Sequence, residues 1–262
     1  MEIAPFEPRR FRTAAAYYSR YRVPYPPELI ETVARRVVLR PGDRVLDLGC
    51  GPGMLAIGFA RLGASVVAID PEPEMLEEAR HAIGLAGVDV ELRQGSSYDL
   101  GPDLAGLRLV AMGRSFHWMD RVKTLATLDQ LIVPGGGIAL LHDRGLVATP
   151  DWRQAMHDVV EFYAPGVLSR AVHRQPNWHR HEEVLIDSPF SVIETTGRIF
   201  RRDLSIDDII GRTFSLSTTA PEVFGDKAEA FEAALRGQLE GLAPDGRFTE
   251  LVEVAAMLAF RP

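Results

Sequence analysis

The chain is short of thiols, of lysine and of long apolar runs, and each shortage excludes something. Cys50 is the sole cysteine among 262 residues, so neither an internal disulfide nor a thiolate metal cluster can form. Lysine occurs only at Lys123 and Lys227, the other basic residues being arginine, and the formal net charge is -7. A protein that grips a phosphate backbone favours a basic face, so a nucleic-acid partner is not expected. No stretch approaches the ~20 uninterrupted apolar residues of a membrane span. The N-terminal "MEIAPFEPRRFRT" has no apolar signal core. These absences predict a cytoplasmic protein with no membrane contact; whether it is a monomer or homodimer is left open by the sequence.

What is present is an ordinary globular mixture, 46% hydrophobic and 25% charged. From Arg44 to Asp143 short apolar runs alternate with helical patterns. "RVLDLG", "SVVAID", "VDVELRQG", "LRLVAMG" and "PGGGIALLHD" read as strands, with helices between them. Such alternation predicts right-handed crossovers and a parallel sheet buried on both faces. Ahead of it, Pro24, Pro26 and Pro27 separate two helices. After Asp143 the rhythm breaks. "FSVIETTGRIFRRDLS" and "GRFTELVEVAAMLAFRP" then alternate like strands that pair antiparallel at a sheet edge.

The fold expected is α/β: a Rossmann-like, seven-stranded, mostly parallel sheet with helices on both faces. An N-terminal helical lid and an insertion after the fifth strand complete it. The expected divisions are 1–40 for the cap, 41–143 for the cofactor-binding core, 144–190 for the insertion or substrate lid, and 191–262 for the rest of the core sheet.

The stretch "VLDLGCGPGM" places Gly49, Gly51 and Gly53 where a strand gives way to a helix. Glycine costs backbone entropy there, so the bare backbone has a use. It lets a ligand come close and leaves amides exposed at a helix N-terminus. The dinucleotide pattern G-x-G-x-x-G is not met, because the sixth position from Gly49 is Met54. The pattern is D-x-G-x-G-x-G from Asp47, and Asp70 ends the next strand, where a carboxylate can accept both hydroxyls of a ribose.

This combination resembles motif I and the acidic loop of the class I S-adenosylmethionine-dependent methyltransferases. "RQGSSYDL" sits where that family cups the adenine. "GRSFHWMD" resembles the A-F-H-W-F-D stretch of a small-molecule branch that includes trans-aconitate methyltransferase-like enzymes. "YYSRYRVPYP" resembles that branch's Y-x-x-x-R-P-x-Y-P segment, and "PGGGIALL" its turn before the fifth strand. The resemblance implies S-adenosylmethionine (SAM) as cofactor. It puts Gly49 and Gly51 at the methionine part and Asp70 at the ribose, with Asp47 among the cofactor-binding residues. It puts Pro71 or Met75 beside the adenine, with Gly95, Ser96 and Ser97 at its edge. Gly113 and Arg114 line the sulfur side, and Arg22, four residues after Tyr18, pairs with the cofactor carboxylate. It implies methyl transfer to an oxygen, nitrogen or carbon of a small-molecule acceptor.

His117 is the candidate general base, because imidazole titrates near neutrality. The alternative is a histidine that positions Trp118. Asp47 has an alternative role in fixing the turn. His142 and Asp143 end the fifth strand and stand as a second acid–base pair. His173, His179 and His181 lack a metal-ligand spacing, so no metal is expected. Other readings of the same residues are a cofactor-binding sensor, a non-methylating enzyme on this fold, or an RNA methyltransferase served by "EPRRFR" and "RIFRR".

Overall fold

The computed structural model describes residues 11–170 and 178–262. His173 and most of "EPRRFR" lie outside them. Seven strands form one sheet in the order β3-β2-β1-β4-β5-β7-β6. They are β1 (Arg44–Leu48), β2 (Ser65–Asp70), β3 (Glu91–Gln94), β4 (Leu107–Gly113), β5 (Ile132–Thr149), β6 (Val192–Ser205) and β7 (Arg247–Phe260). The first five run parallel, and β7 lies antiparallel between β5 and β6. This is the α/β fold expected, including the antiparallel pair at the edge.

Both faces of the parallel part are buried, which is why its strands read as continuous apolar runs. Val45, Val66, Leu109 and Ala139 pack on one side against α2 (Pro27–Arg36) and α3 (Met54–Arg61). Leu46, Val67, Val110 and Ile138 pack on the other with Leu125 and Leu128 of α5 (Arg121–Leu131). Helix α4 (Pro73–Ala86) begins with proline and ends at Gly87, which takes the left-handed C-cap conformation.

Helix α1 (Ala15–Tyr21) and α2 flank the proline run. The spacing of Val37 and Val38 extends the expected second helix, but α2 stops at Arg36 and Val38 is exposed in a left-handed turn. Strand β5 runs past Asp143 to Thr149, six residues into the stretch read as an insertion. It does so because β7 continues beside it, pairing Asp143 with Val254 and Thr149 with Thr249.

The prolonged ends of β5, β6 and β7 carry a third core. It joins α6 (Trp152–Tyr163), α8 (Ile206–Phe214), α9 (Pro221–Phe224) and α10 (Ala228–Leu242) through Trp152, Val160, Ile209, Phe214, Phe231 and Leu235. Helices from either side of residue 190 therefore share one hydrophobic cluster. Helix α8 is capped reciprocally by Ser205 and Asp208. The remaining helix, α7 (His181–Ile186), packs Val184 and Leu185 on the α5 side of the sheet. No helix among the described residues is long and apolar enough to cross a membrane.

Candidate active site

Strand order reverses direction between β1 and β4, and open α/β sheets bind ligands outside the carboxyl ends of the strands at such a point. The chain leaves β1 through Gly49, Gly51 and Gly53, all with positive φ, at 71°, 53° and 78°. The amides of Gly49 and Cys50 both donate to the Ile69 carbonyl, at 2.8 and 3.0 Å, which fastens the corner to β2. The glycines serve different ends. A Cβ on Gly49 would stand 2.5 Å from Ser115 Cβ, and Ser115 is fixed by donating to the Leu48 carbonyl at 2.7 Å. A Cβ on Gly51 would meet only Met75 Sδ, at 3.9 Å. Gly49 is required by packing, whereas Gly51 faces room.

Two carboxylates are built into the corner. Asp70 Oδ2 accepts the Gly51 N–H at 2.8 Å, and Oδ1 accepts the Glu72 N–H at 3.0 Å. Burial lifts its pKa to about 6 against these two amides. Asp47 Oδ2 accepts the Ala56 N–H of α3 at 2.9 Å, while Oδ1 has no hydrogen-bond partner among the described residues. Burial, with Asp70 nearby, lifts Asp47 to about 7 despite the Ala56 bond. Asp47 thus anchors the turn and also keeps an oxygen in reserve.

A small cleft opens at this corner, lined by Asp47, Gly49, Cys50, Gly51, Met54, Leu55 and Gly113 together with Tyr18 and Tyr25. Glycine at 113 makes room for the lid, since a Cβ there would lie 2.4 Å from Tyr25 Oη. Tyr18 packs with Ala15 and Met75, joining α1 to α4. The Arg22 guanidinium sits over the Tyr18 ring at 4.6 Å and that of Arg114 over the Tyr25 ring at 4.6 Å. Burial lowers the Arg22 pKa, and Arg22 Nε has no acceptor among the described residues. Phe11 makes edge contacts with both Tyr18 and Trp118, at 6.2 Å each.

The other expected site residues fall around this cleft at different depths. Pro71 follows Asp70, and its carbonyl accepts from Gln94 at 3.3 Å. The Gly95 N–H donates to the Asp70 carbonyl at 3.1 Å. The half-buried Ser96–Ser97 turn follows directly, with Ser96 N–H and Oγ both donating to Asp99, at 2.7 and 2.8 Å. Gly113 is in the cleft wall, and the Arg114 side chain stacks on Tyr25 while donating to Asp143 at 2.5 Å and the Val23 carbonyl at 2.6 Å. His117 lies in a short turn after β4, half-buried, its ring 4.6 Å from Trp118.

Some residues fit their expected chemistry poorly. Asp143 is gripped by arginines: burial works to raise its pKa, but Arg114, Arg22 and Arg212 together hold it below the ordinary carboxylate value. Such a group is a counter-ion rather than a base, and His142 beside it is exposed. His179 faces Glu183 at 3.2 Å and His181 faces Arg121 at 3.2 Å, so the two diverge. No group of three metal-ligating side chains occurs among the described residues. Sequence reasoning missed Tyr25 and Asp99. The tyrosine between two prolines was the signal for the first; the second is a turn cap with no distinguishing pattern.

The residues present fit SAM. Gly51 leaves room, Asp47 Oδ1 suits an ammonium, and Arg22 Nε suits a carboxylate. Residues 45–136 match the family model described as a methyltransferase domain. The chain is 31% identical over 131 residues to an uncharacterized methyltransferase of Mycobacterium tuberculosis, covering 50% of this chain and 51% of that one. It is 39% identical over 116 residues to a ubiquinone biosynthesis O-methyltransferase of Xanthomonas campestris, covering 44% and 48%. The chain thus spans about half the length of the curated relatives it matches. Its fold is shared with a SAM-dependent methyltransferase of Geobacter sulfurreducens in complex with S-adenosyl-L-homocysteine, at TM-score 0.55 and 20% identity over 100% of both chains. The glycine corner, Asp70 and Gly113 thus all lie within residues 45–136, the part of the chain that matches the methyltransferase-domain model.

Proposed function

We propose that the protein transfers the methyl group of SAM to an oxygen, nitrogen or carbon nucleophile of a small molecule. The observation that carries this reading is the glycine corner at the β1/β4 switch point, tied to Asp70 through the Gly51 amide. When bound, SAM would supply an electrophilic methyl carbon, to which the acceptor nucleophile would form its bond in line as the C–S bond breaks and its electrons return to sulfur, with SAH as the leaving group. Gly49 and Gly51 let the backbone approach the methionine part. Asp47 holds its ammonium and Arg22 its carboxylate, a charge-assisted contact. Asp70 accepts from the ribose hydroxyls with the lone pairs its backbone bonds leave free. Pro71 and Met75 flank the adenine, and Gly95, Ser96 and Ser97 border it.

The protein's own contribution is mainly alignment and exclusion of water. Tyr18 and Tyr25 line the cleft from the N-terminal segment, so residues 11–40 act as its lid. His117 takes the acceptor proton where the nucleophile carries one. The relatives named above are called methyltransferases, and the Geobacter sulfurreducens neighbour holds S-adenosyl-L-homocysteine (SAH); both support the reading. The test is calorimetry with SAH followed by a turnover assay for SAH release across an acceptor panel. Micromolar binding and acceptor-dependent release are expected. Binding with no release from any acceptor would favour a sensor, and no binding would end the reading.

A further inference from the structure

Helix α1 has seven residues. A helix that short does not hold its own shape in water, so its place is set by what it touches. Residues four apart share a helical face. Tyr18 and, just past the helix end, Arg22 form the face toward the glycine corner: Tyr18 packs on Met75 of α4, and the Arg22 guanidinium sits over the Tyr18 ring. Tyr17 and Tyr21 form the adjoining face. Their rings stack at 6.2 Å, and Tyr17 meets Phe214 of α8 at 5.2 Å. The residues before α1 are tied to the same helices. Thr13 Oγ1 accepts the Glu222 N–H of α9, and Arg12 pairs with the Glu222 carboxylate, both at 3.4 Å. The segment that carries Tyr18 and Arg22 is therefore seated on the C-terminal helices.

That seat contains a glycine. Gly211 stands inside α8, where alanine would make the better helix. Its backbone is ordinary helix, so contact and not conformation accounts for it. A Cβ there would lie 2.3 Å from Tyr21 Cδ2, 2.4 Å from Cε2 and 2.5 Å from Cγ. The tyrosine ring lies against bare backbone. Because Cγ is among the atoms struck, turning the ring about its own axis gives no relief. Helix α1 would have to back away by about 1 Å to regain an ordinary contact, since a packed interior has no slack.

We propose that Gly211 is a positioning residue for the cofactor. By letting Tyr21 lie on α8, it sets how deep α1 sits, and so where Tyr18 and Arg22 stand over the glycine corner. This rests on the cofactor roles given to those two residues in the methyl-transfer reading. The C-terminal helices then govern cofactor affinity from outside the cleft, because Gly211 is not among the residues that line it. A shift of about 1 Å is enough, since a charge-assisted contact depends on close placement.

The test is calorimetry with SAH, each variant being checked for folding by thermal unfolding. Gly211→Ala is expected to weaken SAH by about tenfold or more. Tyr21→Ala removes the ring that the new methyl strikes, so adding Gly211→Ala to it should change affinity by less than about twofold. Arg22→Gln should weaken SAH in the unaltered protein and add less than about twofold in Gly211→Ala, where the guanidinium is already out of place. A loss that does not act through Tyr21 and Arg22 would add in full to both. Should Gly211→Ala fail to fold, Tyr21→Ala against Tyr21→Phe decides. The first should weaken SAH at least about threefold, and the second, which keeps the ring, less than about twofold; equal affinities in the two would overturn the proposal. So would unchanged SAH affinity in Gly211→Ala, or an equal loss with and without the Tyr21 ring. Failure of the unaltered protein to bind SAH would strike the methyl-transfer reading itself, and the proposal with it.

Discussion

Asp70 Oδ2 accepts the Gly51 N–H at 2.8 Å, so the acid that ends β2 and the glycine corner that follows β1 are one unit. Asp70→Ala removes the acceptor for Gly51, the acceptor for Glu72, and the proposed ribose contact together. Calorimetry with SAH is expected to show a loss of about 1–3 kcal/mol, roughly five- to 150-fold in affinity. Unchanged affinity would remove Asp70 from the cofactor site.

Gly49 and Gly51 should separate stability from binding. In Gly49→Ala the new methyl meets Ser115 at 2.5 Å and the backbone stays left-handed. Thermal or urea unfolding should show about 2–4 kcal/mol lost to strain and overpacking. Gly51→Ala has open space, so only about 1–2 kcal/mol of backbone strain is expected. Its methyl intrudes where the methionine part is proposed to lie, and SAH affinity should fall more than in Gly49→Ala measured below its unfolding midpoint.

The sheet was legible because its signals are local. Val45 to Leu48 and Leu107 to Met112 are apolar runs that only a strand buried on both faces explains, and Gly63 and Gly87 end helices by backbone necessity. The glycine corner was legible for the same reason. Arg114 was not. Its side-chain direction depends on Asp143, 29 residues later, and on Tyr25, far earlier. Neither did the pattern of residues 144–190 reveal that Trp152 packs beside Phe214 and Phe231, because that cluster forms only when β5, β6 and β7 run on together. Glu250 looks like a surface acid in an alternating strand. Its burial follows from the arginines that converge on it from β6, α6 and α8.

Cofactor affinity should rise with pH. Asp47 and Asp70 have folded-state pKa values of about 7 and about 6, above the ordinary 3.8. Their neutral forms therefore favour the fold below about pH 4, and that contribution is lost as pH rises through 6 to 7. The ammonium and ribose hydroxyls of SAH need the ionised carboxylates instead. Binding should strengthen between about pH 5.5 and 7.5, by at most about tenfold per unit for each proton released. Asp47→Asn should flatten the upper part of that slope. A flat profile in the unaltered protein would mean that neither acid meets the cofactor.

His117 is to be judged by what it leaves unchanged. If it removes the acceptor proton, His117→Ala should lower kcat by about a hundredfold with any acceptor that turns over. SAH affinity should hold within twofold, and the low-pH limb of the rate profile should disappear. If its ring instead braces Trp118, 4.6 Å away, cofactor affinity and unfolding midpoint should change while the pH profile keeps its shape.

Glu250 is the strongest test of the buried charge cluster as a structural element. Glu250→Gln preserves shape but removes the negative charge that faces Arg153, Arg202 and Arg212. Breaking one side of a buried ion pair costs about 3–5 kcal/mol, because the opposite charge remains buried without compensation. Urea unfolding should show a loss of that size. The double variant Glu250→Gln with Arg202→Met should recover part of it, since Arg202 reaches Glu250 directly across the β6–β7 register. Recovery is expected to be partial because Arg212 and Arg153 still lack their partner. If the double variant is no more stable than Glu250→Gln alone, the loss comes from altered packing and the arginines are not the cause.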